Sequence, residues 1–451
     1  MKVRKPSPLK TNTNQMQKSA TSILILGLIL LISCYQKKES GNAEQRVLIE
    51  DAASAIHTKD NLSRFQQYLS GLKTRNLPHI DRTNFDSFID EDDLVEIDEH
   101  ALKLEEIYPE IQNKNSKYYV IYAYRLTLST NFYTAVVTVR IGAHELETTL
   151  INYDLKGKII ARLPIAYEEI AEEMTQQGSR ISENKITTQL ITWDLIKEIE
   201  EKEFRILPDG MIEEVSAKKL SEVIEEYPLV LSVLENLNLD PLAVKSDLIR
   251  TKALPHEINE FILLIPEIVD EEEQYIKLNS HVLLTNPHTG AITHSFFESA
   301  ATNQWVSDAI ELQDISLDTA PYRVSDKLRA FGIRVSYRGM SRVNPYNNET
   351  LSLFIKAGDH LKKILSNFPI STFTGEWNGD CDGEFLDTKS IFILSNEQTH
   401  GYYDLLVKRM LTQTRNQEDE DGECDSTEKI SNLTTTLTFN GQEYLQSPVK
   451  Q

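Results

Sequence analysis

The chain has 451 residues, 40% of them hydrophobic, and a formal net charge of −22. This length allows two or three ordinary domains with hydrophobic cores. The acidity excludes nucleic-acid binding through a general positive field and predicts repulsion from anionic lipid headgroups, whereas a basic partner is compatible with it.

The first element is a basic segment followed by an apolar run. Five cations and no acids precede Ile23, and residues Ile23–Cys34 read ILILGLILLISC. A basic segment followed by an apolar one is typical of a bacterial export signal. The apolar run has about half of the roughly 20 residues that a membrane-spanning helix needs, so it does not predict a transmembrane anchor.

The end of this run, Leu31-Ile32-Ser33-Cys34, resembles the lipobox of bacterial lipoproteins. The resemblance implies cleavage before Cys34 and a diacylglycerol thioether on its sulfur. The mature protein is then expected to be anchored in the outer or cytoplasmic membrane by acyl chains, each buried CH₂ contributing about 0.8 kcal/mol, and to face the periplasm or the cell surface. The body segments TNFYTAVVTVR and RAFGIRVSYRG are similar to uncharacterised bacterial envelope lipoproteins.

The patterns of the body predict an α+β fold, with antiparallel sheets, flanking helices and a small C-terminal β domain. The predicted division is a signal peptide at 1–33, a tether at 34–44, an N-terminal α+β domain at 45–215, a central α+β domain at 216–370 and a disulfide-linked β domain at 371–451.

In the N-terminal domain, helical spacing predicts two short amphipathic helices within 45–75, and the acidic run Asp86–His100 predicts a solvated helix face. Runs rich in Tyr, Val, Ile and Thr then predict strands. These are Tyr118–Leu128, Tyr133–Ile141, Glu147–Tyr153, Lys185–Trp193 and Phe204–Leu207. The turn sequences Asp154–Gly157 and Pro208–Gly210 predict hairpins.

The central domain is predicted to mix helices and strands. The predicted helices are Leu220–Tyr227, Leu229–Leu237, Asp247–Leu254, a helical stretch from Trp305 to Leu312, and Asp359–Asn367. The predicted strands are Phe261–Val269, Tyr275–Thr285, Ala291–Phe297, Phe331–Tyr337 and Leu351–Ile355.

The last domain contains the two cysteines that remain after Cys34, which are Cys381 and Cys424. In an exported protein such a pair predicts one disulfide, which would contribute about 4 kcal/mol in the chain-entropy model. The chain has no CxxC pair, so redox catalysis is not indicated.

Basic residues are concentrated between Pro321 and Pro345, against the charge of the rest of the chain. They are Arg323, Lys327, Arg329, Arg334, Arg338 and Arg342. Strand alternation in FGIRVSYRG puts the apolar side chains on one face and Arg334 and Arg338 on the other. This face could hold a carboxylate, a phosphate or an anionic glycan. Alternatively, the arginines pair with acids of the same chain, such as Asp318.

Two acidic loops, at 378–383 and 417–422, lie beside the cysteines and approximate the start of a D-x-D-x-D-G calcium loop. If the disulfide joins them, four carboxylates could converge on Ca²⁺. These are Asp380, Asp382, Asp419 and Asp421. The extended flanks argue against an EF-hand, and the alternative is a pair of polar hairpin loops.

The sequence contains no HExxH, G-x-S-x-G, P-loop or dinucleotide-binding motif. It therefore predicts a non-catalytic binding or scaffolding protein of the cell envelope, with no cofactor. Two other hypotheses are a periplasmic inhibitor or immunity-type lipoprotein that neutralises a basic partner, and an envelope hydrolase that uses residues 305–342.

Overall fold

Three antiparallel sheets follow one another along the chain. The computed structural model describes residues 63–88, 97–170, 175–193, 196–257, 259–272 and 274–446. Within these ranges the α-helices are α1 (Arg64–Gly71), α2 (Leu220–Val223) and α3 (Tyr227–Leu237). The predicted lipidation site Cys34 and the first helix predicted within 45–75 lie outside the described residues.

Sheet 1 is a meander in which each strand from β2 to β9 pairs with the next, and β1 pairs with β6. Its strands are β1 (His79–Asp81), β2 (Tyr118–Leu126), β3 (Tyr133–Ile141), β4 (Glu145–Tyr153), β5 (Ile159–Glu169), β6 (Thr175–Ile181), β7 (Lys185–Trp193), β8 (Lys197–Ile206) and β9 (Ile212–Lys219). The hairpins predicted at Asp154–Gly157 and Pro208–Gly210 are confirmed. Gly157 and Gly210 supply the positive φ, at 81° and 89°.

Helix α1 packs against sheet 1, as its apolar spacing predicts. Ser63 forms a capping box with Gln66 at the N-terminus of the helix. Phe65 and Leu69 are buried, and the Phe65 ring lies 4.9 Å from that of Tyr153. The segment Asp86–His100 is predicted to be helical. Its described residues contribute to a 3-10 turn at Phe85–Phe88, and residues 89–96 lie outside the described ranges.

Sheet 2 is buried on both faces. Its strands are β10 (Arg250–Ala253), β11 (Phe261–Glu272), β12 (Tyr275–Thr285), β13 (Ile292–Glu298) and β14 (Val306–Ser307). One face, with Leu263 and Leu283, shares a hydrophobic cluster with Val230 of α3. The other face, with Ile262, packs with Ile333 from the next sheet.

Sheet 3 is an eight-stranded meander. Its strands are β15 (Ile310–Arg323), β16 (Arg329–Gly339), β17 (Tyr346–Ala357), β18 (His360–Trp377), β19 (Gly383–Thr399), β20 (Tyr402–Glu418), β21 (Cys424–Phe439) and β22 (Tyr444–Gln446). One end of the sheet surrounds a cluster that contains Leu353, Ile364, Leu405 and Leu437. At the other end, the predicted disulfide is confirmed and joins Cys381 to Cys424.

The predicted α+β fold is wrong, because the described chain is dominated by antiparallel strands. Three segments predicted to be helical are mainly extended. Asp247–Leu254 contains β10, the stretch from Trp305 to Leu312 contains β14 and the start of β15, and Asp359–Asn367 belongs to β18. Strand β18 also runs through the predicted boundary at residue 371.

The helices predicted at Leu220–Tyr227 and Leu229–Leu237 correspond to α2 and α3, with α3 starting two residues before Leu229. Among the described residues, none of the helices has the length and apolar character needed to cross a membrane.

Candidate functional site

A polar cleft of about 750 Å³ lies where the three sheets meet. Lys185 on β7 and Glu203 on β8 come from sheet 1, and Glu271 on β11 comes from sheet 2. Glu311, on β15, comes from sheet 3. Among the described residues that line this cleft, six are carboxylates and three are cations. The carboxylates are Glu203, Asp247, Glu271, Glu272, Asp308 and Glu311, and the cations are Lys185, Arg205 and Lys245.

The floor of the cleft is an ionic network that joins sheet 1 to sheet 2. Glu271 is 7% exposed, and its Oε2 lies 3.2 Å from Nε of the buried Arg180. Its other oxygen accepts a hydrogen bond from Lys185 Nζ at 2.8 Å. Lys185 also lies 3.3 Å from Glu203, so one lysine bridges an acid of each sheet. The charged groups at the floor of the cleft are therefore already paired with one another.

The electrostatics of this network favour its charged form. Burial acts to raise the pKa of Glu271, but the nearby Lys185 and Arg180 outweigh it and hold that pKa below its ordinary value. Burial acts to lower the pKa of Lys185, and Glu271 and Glu203 reverse this effect, so the pKa of the lysine is raised. Glu271 is therefore a carboxylate and Lys185 an ammonium at neutral pH.

The rim of the cleft has a different character, because its carboxylates are exposed. Glu272, Asp308 and Glu311 are all solvent-exposed. Asp308 accepts a hydrogen bond from the backbone N–H of Ile310 and Glu311 accepts one from Gln313. Within the described part of the chain, none of these three acids forms an ion pair. The rim therefore presents three carboxylates that form no ion pair within the described chain, although Arg338 lies opposite Glu311 in the β15–β16 strand pair.

Apolar side chains alternate with these charges in the cleft wall. They are Phe204, Leu248, Tyr275, Ile276, Leu312 and Met340. Met340 is 66% exposed at the mouth of the cleft. A wall of this composition suits an extended cationic chain, whose aliphatic stems cover apolar surface while their charged ends reach carboxylates. The described lining contains no histidine or cysteine that could act as a base or nucleophile.

The predicted arginine face exists, but its two members have different surroundings. Ile333 and Val335 are buried on one side of β16, as the alternation predicts. On the other side, Arg334 lies 2.7 Å from Asp318 and 3.3 Å from Glu349. Asp318 also accepts a hydrogen bond from the Tyr322 hydroxyl at 2.7 Å. Arg334 is thus paired with acids of its own chain.

Arg338 is exposed, and among the described residues it has no ion-pair partner. With Arg342 it lines a groove of about 470 Å³ that adjoins the cleft and shares Glu311 and Met340 with it. The region 305–342 therefore does reach the cleft, but it supplies the acids Asp308 and Glu311 to it rather than the arginines.

The two acidic loops are brought together by the disulfide, as the sequence predicts. Asp382 accepts the backbone N–H of Glu418, and Asp419 accepts those of Asp421 and Glu423. Asp380 donates its own N–H to Asn378. Within the described residues, no group of three or more His, Cys, Asp or Glu is arranged to hold a metal ion. The contacts are those of polar hairpin loops.

No protein-family model, curated protein or solved structure matches this chain. Lys185, Glu271 and Glu311 are far apart in the sequence and meet only because sheets 1, 2 and 3 pack together. Sequence patterns did not identify them, since single charged residues in strands carry no signal of their own.

Proposed function

We propose that this chain is a lipid-anchored protein of the bacterial cell envelope that binds a basic partner and does not catalyse a reaction. The observation that carries the binding proposal is the rim of Glu272, Asp308 and Glu311, three exposed carboxylates without an ion-pair partner in the described chain, around a cleft of about 750 Å³. A volume of this size is typical of ligand-binding clefts.

The anchor part of the proposal rests on the sequence Leu31-Ile32-Ser33-Cys34. Attachment through acyl chains agrees with the charge of −22, since an acidic body gains no attraction from anionic lipids. A cationic protein or peptide in the same compartment would be attracted to the cleft over long range. An inhibitor or immunity-type role is the form of this function in which the partner is a basic protein.

Binding is tested by titrating the intact protein with a fluorescent lysine- and arginine-rich peptide and with an acidic peptide of equal length, measuring anisotropy at low and high salt. The basic peptide is expected to bind at low salt and to weaken as salt screens the charges. The variant Glu272→Gln/Asp308→Asn/Glu311→Gln should bind about tenfold more weakly, because three exposed charge pairs contribute roughly 0.2–1 kcal/mol each.

The matched control is Glu110→Gln/Glu397→Gln/Glu420→Gln, which removes the same net charge from exposed positions outside the cleft lining. Equal weakening of peptide binding in both triple variants would show that only net charge attracts the peptide, and would refute the proposal that the cleft binds it.

The anchor is tested separately by labelling cells with radioactive palmitate. Loss of label in Cys34→Ser supports it, and an unlabelled wild-type protein refutes it.

A further inference from the structure

Strand β21 has a long backbone edge that no other described strand covers. On one side its residues Cys424–Leu437 pair with β20. On the other side β22 pairs only with Leu437–Phe439. Residues Cys424–Thr434 are all exposed. Within the described chain, the outer edge from Cys424 to Thr436 therefore presents unpaired N–H and C=O groups, which can pair with another strand.

An apolar stripe crosses the sheet and ends at this edge. Ile391 on β19, Met410 on β20 and Ile430 on β21 are 60%, 42% and 60% exposed. Met410 lies opposite Lys389 and Asn432, so Ile391 and Ile430 are its diagonal neighbours, two residues further along each adjacent strand. All three side chains point to the same face, since residues opposite each other in an antiparallel pair share a face.

The edge is complementary to a second copy of itself. A two-fold axis perpendicular to the sheet pairs antiparallel edges and keeps each face continuous. The register that uses the whole free edge of both copies has its axis at residue 430, the midpoint of Cys424–Thr436. It places Ile430 opposite the partner's Ile430, and Glu428 opposite the partner's Asn432. No two charged residues of the edge then lie directly opposite each other.

We propose that two copies of this chain associate through the edges of β21, with Ile430 on the two-fold axis and the Ile391–Met410–Ile430 stripe continuing into the partner. The backbone hydrogen bonds of the new strand pair and the joined apolar stripe favour this association. A net charge of −22 on each copy opposes it. Salt should therefore strengthen the dimer, whereas it weakens capture of a basic peptide in the cleft.

The register is tested by introducing single cysteines into the full chain under oxidising conditions. Ile430→Cys should give a disulfide-linked dimer, because the two copies of residue 430 face each other within the reach of a disulfide. Thr434→Cys is the matched control on the same strand and face. In the proposed register residue 434 lies opposite the partner's residue 426. The two copies of residue 434 are therefore about 26 Å apart and should not be linked.

The association itself is tested without cysteines by sedimentation equilibrium at several salt concentrations. Wild-type protein should be dimeric, increasingly so with salt, and Ile430→Lys should be monomeric because it places two ammonium groups on the axis. Leu155→Lys makes the same change from an apolar to a cationic side chain at a position 49% exposed in the turn between β4 and β5, and this variant should stay dimeric. A wild-type monomer at every salt concentration, or equal crosslinking at residues 430 and 434, would overturn the proposal.

Discussion

Lys185 Nζ and Glu271 Oε1 lie 2.8 Å apart, and this contact ties sheet 1 to sheet 2 beneath the cleft. The same carboxylate accepts a hydrogen bond from Arg180, which is 5% exposed. One buried acid thus neutralises a cation of β6 and one of β7. The junction of sheets 1 and 2 at the floor of the cleft therefore depends on the negative charge of Glu271, which is largely shielded from water.

Replacing Glu271 with Gln should lower the free energy of unfolding by about 3–5 kcal/mol, since it leaves the buried Arg180 without its counter-charge. The measurement is urea denaturation followed by circular dichroism. Glu214→Gln is the control, because that carboxylate is 49% exposed and lies 3.7 Å from Lys202. Its loss should cost less than about 1 kcal/mol. Equal losses in the two variants would show that the buried network does not stabilise the sheet junction.

The stability that Glu271 provides should depend on pH. Its folded-state pKa is lower than the ordinary value of 4.5, because Lys185 and Arg180 outweigh the effect of burial. The contribution is therefore fully present above pH 4.5 and is lost as the pH falls through the lower folded-state value. In denaturation series at decreasing pH, the stability difference between wild type and Glu271→Gln should shrink below pH 4.5. A constant difference would contradict this assignment.

Arg334 and Arg338 lie four positions apart on the same face of β16 and should respond differently to substitution. Arg334→Met leaves Asp318, whose side chain is 12% exposed, without its cation, and should cost about 1–3 kcal/mol. Arg338→Met changes an exposed side chain without an ion-pair partner in the described chain and should cost less than about 0.5 kcal/mol. Thermal unfolding of both variants measures this. A larger loss in Arg338→Met than in Arg334→Met would contradict this assignment.

Strands and hairpins with a clear two-residue period could be predicted from the sequence, whereas the segments mistaken for helices could not. In the stretch from Trp305 to Leu312, Trp305 precedes β14 and Leu312 lies in β15, and both side chains reach one core. Two short extended segments thus produce an apolar spacing that imitates a helix. In β18, Leu361 belongs to one core and Ile364 to another, so a strand buried on both faces gave a helical pattern.

The candidate site was less predictable than the fold, because it depends on how sheets pack. The disulfide could be predicted, since the expected lipidation of Cys34 leaves one pairing for the other two cysteines. The arginine face of β16 could also be predicted from alternation, but not that Asp318 and Glu349 would neutralise Arg334. Glu203 belongs to sheet 1 and Glu311 to sheet 3, and both line the cleft. No local sequence pattern predicts that these two residues lie near each other.

The disulfide should stabilise the end of sheet 3 without affecting the cleft. Cys381 and Cys424 are 43 residues apart and enclose β19 and β20, so the chain-entropy model gives about 4 kcal/mol for their bond. In Cys381→Ser/Cys424→Ser, the hairpin pairing of β19 with β20 remains, and the loss should not exceed this value. Hydrogen exchange should accelerate near Gly383 and Asn416, at the linked end of these strands.

Neither cysteine lines the cleft, so binding of a basic peptide should be unchanged. Loss of that binding in the double variant would show that the two ends of sheet 3 are coupled.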